Sequence, residues 1–154
     1  MSGCLAITLI INKDEMETDE IAEFLNETSV IPARLAPSER DVIVQLLEER
    51  LNVNVEASMP WNTADAPAGI QNVRGWELIP EFVGDLPCLV FSPLATAVWR
   101  FADGQELLKF LRETPHFEFY VCDTQATYLI CFNHHDFILA WGSCTTWVQQ
   151  LNNS

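Results

Sequence analysis

FEFYVCDTQATYLICFNHHDFILAW, residues 117–141, is the stretch on which the fold turns. Three runs rich in aromatic and β-branched residues, 117–122, 128–132 and 137–141, are separated by Asp123-Thr124-Gln125 and by Asn133-His134-His135-Asp136. Short apolar runs bounded by polar turn residues read as strands. Connections this short leave no room for a crossover, so neighbouring strands pair antiparallel. The carboxyl-terminal half is therefore expected to be a meander with helices on one face, and the fold class α+β.

Upstream of the meander, Asp103 with Glu106 three positions later opens a helix carrying Leu107, Leu108, Phe110 and Leu111, and Pro115 marks its end. Before it come two strands at 86–91 and 97–101, and a short helical or extended segment from Trp76 to Phe82. Downstream, Ser143 is placed to cap a last short helix through Leu151. Towards the amino terminus, Pro37-Ser38 signals a helix with Ser38 as cap and Val42, Ile43, Leu46, Leu47 and Leu51 on its inner side. An earlier helix opens with Thr18 as N-cap and Asp19 and Glu20 in the first turn. Residues 4–11, CLAITLII, read as a buried strand. Residues 52–75 lose periodicity and hold Pro60, Pro67, Gly69 and Gly75. A loop this long in a compact domain is either a binding loop or conceals a strand, here around Val53–Val55.

The chain has 154 residues, the size of one domain, and 49% of them are hydrophobic, enough to fold without a staple. Residues 1–154 are read as a single domain, with no internal repeat and no linker. The five cysteines, Cys4, Cys88, Cys122, Cys131 and Cys144, are odd in number and widely spaced, as reduced core thiols are. No Lys or Arg precedes the apolar run 4–11, and Lys13-Asp14-Glu15 follows it where a cleavage site would stand, so a cytoplasmic location is expected. No apolar stretch approaches the ~20 residues of a membrane span.

Charge narrows the function more than motif does. There are 22 Asp and Glu against 8 Lys and Arg, a net charge of −14. No basic stripe exists for nucleic-acid phosphates. Acidity favours solubility and the fast capture of a basic partner. Asp14, Glu15, Glu17, Asp19, Glu20, Glu23 and Glu27 crowd the first helix and its approach, so its outer face is expected to be strongly negative.

Chemistry-bearing patterns are few. His134 and His135 with His116, Cys122 and Cys131 suggest a zinc site, yet the ligand spacing is not of the zinc type. Adjacent His134 and His135 are also expected to point to opposite sides. The competing reading is a polar hairpin turn, with Asn133 and Asp136 bonding their own backbone. Cys122 or Cys131 with His134 as base is the best enzyme arrangement, but both thiols lie in apolar strand patterns, where a thiol is inert. There is no GxGxxG, P-loop, GxSxG or HExxH, so no cofactor or metal is expected and catalysis is disfavoured. Trp76, Trp99, Trp141 and Trp147 are expected in the core. Trp61, between Pro60 and Asn62 and rimmed by Glu56 and Asp65, either anchors a partner or folds back over the core.

The stretch EFYVC (118–122) through YLICFNHHD (128–136) to Gly142 resembles the ending of small acidic bacterial immunity proteins of polymorphic toxin systems, including contact-dependent inhibition. The resemblance covers the last third of the chain. It implies a protein that neutralises a toxin domain, commonly a basic nuclease, by direct contact and without chemistry of its own. The candidate partner-binding residues are then Asp19, Glu20, Glu23 and Glu27 on the helix, Trp61 and Asp65 in the loop, and His134, His135 and Asp136 in the hairpin. The alternatives are a phage or plasmid inhibitor that mimics nucleic acid, a small Cys/His hydrolase, and an intracellular adaptor. No nucleic-acid or membrane partner is expected.

Overall fold

A computed structural model describes residues 19–57 and 68–151. Seven strands form one antiparallel sheet. They are β1 (Ala33–Arg34), β2 (Ala68–Gln71), β3 (Cys88–Phe91), β4 (Trp99–Phe101), β5 (Phe119–Cys122), β6 (Tyr128–Phe132) and β7 (Phe137–Gly142), in the order β1-β4-β3-β5-β6-β7-β2. The expected meander β5-β6-β7 is its centre. Phe119 faces Phe132 across the first pair and Phe132 faces Ile138 across the second.

Helices cover both faces, not one. On one face α1 (Glu20–Leu25), α3 (Gly75–Val83), α4 (Gly104–Glu113) and α5 (Thr145–Leu151) bury Ile21, Ile79, Phe110 and Val148 against Val90, Val121, Ile130 and Ala140. On the other face α2 (Pro37–Leu51) brings Ile43, Val44 and Leu47, together with Val53 and Val55, onto Leu89, Tyr120, Leu129 and Trp141. Alternate residues of each central strand thus enter different cores. That is why the runs are apolar throughout instead of alternating with polar residues, the pattern of a sheet covered on both sides.

Several boundaries move. α2 starts at Pro37 with Ser38 inside it, and the orphan N–H of Ala36 is taken by the Glu39 carboxylate at 2.9 Å. α2 ends at Leu51 and is capped by Asn52, whose left-handed conformation (φ 57°) turns Val53 back so that its N–H reaches Leu47 O. Val42, expected on the inner side, is 54% exposed, and Val44 is buried in its place. Within residues 52–75 the strand is β2 and not Val53–Val55, where the two valines are buried without strand pairing. β3 begins at Cys88, because Leu86 is exposed. α4 follows expectation, with the Asp103 carboxylate accepting from Glu106 N at 2.9 Å. The expected strand at 4–11 lies outside the described residues. No helix among the described residues is long and apolar enough to cross a membrane.

Candidate functional site at one end of the sheet

β3 ends, β5 begins and the β6–β7 hairpin turns at the same end of the sheet, because antiparallel register puts Phe91 beside Tyr120 and Phe119 beside Phe132. α1 lies across this end. It is held there by Phe24, which packs edge-on against Phe117 with ring centroids 5.0 Å apart. The acidic helix and the histidine hairpin, two separate candidates in the sequence, therefore meet.

Asp19 is the N-cap of α1 in place of Thr18, which lies outside the described residues. Its side chain accepts hydrogen bonds from Ile21 N, from Ser92 Oγ at 3.3 Å and from Trp99 Nε1. Only 7% exposed, it ties α1 to β3 and β4 and does not belong to the outer face. Partner contact by Asp19 is thus corrected to a structural role. A helix has unpaired N–H groups in its first turn, and burying them calls for such an acceptor.

Glu20 and Glu23 are exposed on α1, while Glu27 is exposed just beyond its last turn. Partial burial pushes the Glu20 carboxyl up from its ordinary value, helped by the negative charges of Glu23, Glu118 and Asp19. Glu118 is the residue that sequence reasoning missed. One carboxylate oxygen sits 3.2 Å from His134 Nδ1 and also accepts from His134 N at 3.3 Å. Its signal was visible as the one acid breaking an aromatic run, FEFY.

The turn Asn133–Asp136 is built as the polar-hairpin reading expects. The buried Asn133 side chain accepts from His135 N at 2.9 Å and from Phe137 N at 3.1 Å, and Asp136 adopts a left-handed conformation (φ 63°). His134 and His135 do not point to opposite sides. Their ring centroids lie 3.9 Å apart, because they occupy the central positions of a tight turn and not two positions of a pleated strand. His116 Nε2 lies 3.0 Å from Asp136 Oδ1. All three histidines of the chain thus stand at this end. Among the described residues no group of three His, Cys, Asp or Glu side chains is arranged to hold a metal ion.

The cysteines stand apart from this surface. Cys88, Cys122, Cys131 and Cys144 are buried and unpaired by disulfide. Burial drives the Cys122 and Cys131 thiols far above their ordinary value, and it lifts Cys88 and Cys144 to about 12. A nucleophile needs the thiolate, and these environments suppress it. Trp76, Trp99, Trp141 and Trp147 are buried or half-buried in the two cores. Trp61 and Asp65 lie outside the described residues, and Glu56 is bound to Arg40 at 2.8 Å. Comparison of the chain with protein-family models, with curated proteins and with solved structures finds no match in any of the three.

Proposed function

We propose that this protein acts by binding another protein, as a cytoplasmic immunity protein that covers a basic toxin domain. The observation that carries the reading is the crowding of Glu20, Glu23 and Glu118 at one end of the sheet, where partial desolvation, added to by the negative charges of Glu23 and Glu118, raises the Glu20 carboxyl. Glu20 and Glu23 make no ion pair among the described residues, and such carboxylates hold electrostatic potential that a basic surface relieves on docking. The net charge of −14 extends that attraction to long range and speeds encounter.

The test begins by seeking a candidate toxin domain encoded beside the protein's own gene. Co-expression is expected to restore growth to cells producing that toxin domain. With the purified domain, reversing Glu20, Glu23 and Glu27 together to Lys should slow association about tenfold at low salt and flatten its salt dependence, since rim charges act mainly on the on-rate. Failure to protect cells rejects the immunity reading. An unchanged association rate in a folded variant that still binds moves the interface elsewhere on the protein.

A further inference from the structure

Between the start of α3, the end of α4 and the sheet lies a cavity of about 130 Å³. Phe119 and Phe132 are buried in its floor, Trp76 and Phe117 are half-buried in its walls, and the exposed Arg112 and His116 stand at its rim. The aromatic groups brace one another: Phe117 on Phe119 at 5.3 Å, Phe119 on Phe132 at 5.9 Å and His116 on Phe132 at 5.4 Å between centroids. Gly75 sets the Trp76 wall, because a side chain there would meet Phe132 and Ile138 at 2.7 Å, so only glycine lets α3 begin this close to the sheet.

Size and charge select the occupant. An apolar cavity of about 150 Å³ admits benzene, whereas drug-sized ligands take about 300 Å³ or more. One ring therefore fills this space. Aromatic walls alone would also suit a cation, but Arg112 and His116 at the rim disfavour one. Arg112 makes no ion pair among the described residues; Glu77, which feels its charge, and Glu113, its neighbour in the chain, are engaged by other groups. Glu77 is bound to Arg74 at 3.0 Å, Glu113 accepts from Ser29 N and Oγ at 3.0 and 2.9 Å, and Asp136 faces His116 at 3.0 Å. In so acidic a chain, an arginine beside an aromatic cavity and with no ion pair among the described residues is placed to receive a carboxylate from outside, in the forked geometry that guanidinium favours.

We propose that this cavity binds a monocyclic aromatic carboxylate of the benzoate class, the ring against the half-buried Trp76 and Phe117 and the carboxylate on Arg112. The cavity borders the proposed toxin surface, since His116 at its rim faces Asp136 and Phe117 in its wall carries Phe24 of α1, but benzoate binding is read with no toxin present, so a failure here is told apart from a failure of the immunity reading.

The test is NMR titration of the full chain with benzoate, with benzyl alcohol as the ring without the charge, and with acetate as the charge without the ring. Benzoate is expected to shift the Trp76 indole signal saturably, and each control to bind at least about tenfold more weakly. Arg112→Gln, an exposed change whose fold is checked by circular dichroism, should bring benzoate down to the level of benzyl alcohol and leave benzyl alcohol unaffected. Three results overturn the proposal: no saturable shift with benzoate, equal binding of benzoate and benzyl alcohol to the parent, or undiminished benzoate binding by the Arg112→Gln protein.

Discussion

Asp19 shows how far a residue's role depends on its neighbours. In the sequence it is one acid of seven in a negative run, and its carboxylate counts as surface charge. In the fold it takes hydrogen bonds from Ile21 N, Ser92 Oγ and Trp99 Nε1, donors contributed by α1, the end of β3 and β4. Asp19→Ala leaves those donors unsatisfied and is expected to destabilise the protein by about 2–3 kcal/mol in urea unfolding. A cost under about 0.5 kcal/mol, ordinary for a surface change, would return Asp19 to the surface. Glu20, the next residue, should behave in the opposite way. Its folded carboxyl is raised, so at neutral pH the ionised form opposes folding. Glu20→Gln is therefore expected to raise the thermal midpoint at pH 7. That gain should vanish below the ordinary carboxylate value of 4.5, where the parent is protonated both folded and unfolded. The same change should slow association with the proposed basic partner, so that stability and binding move in opposite directions. A midpoint at pH 7 no higher than the parent's contradicts the crowding.

At the scale of elements, α3 and α4 pack as closely as backbone allows. The Gly104 N–H donates to Gly84 O at 2.7 Å, and a Cβ at Gly104 would lie 2.2 Å from Pro80 O. The obstacle is main chain and cannot rotate away. Gly104→Ala is expected to cost about 2 kcal/mol or more and to lower the urea midpoint; parent-like stability would mean the helices part freely. α4 itself was legible in the sequence because both its cap, Asp103, and its inward face, Leu107, Phe110 and Leu111, are written within ten residues. α2 was legible as an element but not in its start. The start is set by Pro37 and Glu39, and Ser38 only resembled a cap. β1 and β2 were not legible. Two residues, and four including Gly69, carry no periodicity, and they are strands only because β4 and β7 offer them hydrogen bonds.

For the whole molecule, two cores share one sheet, and four thiols lie between its layers. Cys88 and Cys144 ionise at about 12 when folded, against 9.0 for a free thiol. The unfolded chain therefore loses its thiol protons first as pH rises. Under reducing conditions, unfolding free energy is expected to stay level below about pH 8 and to fall as pH climbs from 9 towards 12. A flat profile across that window would place the thiols in water. A thiol reagent at pH 8 should likewise leave these four cysteines unmodified until the protein is unfolded. The sequence by itself determined the antiparallel meander, α4, the polar turn at Asn133–Asp136, the burial of the cysteine runs and the excess of negative charge. These depend on contacts within a few residues or on composition. Only the tertiary structure decided that helices cover both faces, that Asp19 is buried, that β1 and β2 close the edges, and that Glu118 and the hairpin histidines join the carboxylates of α1. Pairing partners far apart along the chain are chosen by packing and register, and neither leaves a local mark in the residues that obey them.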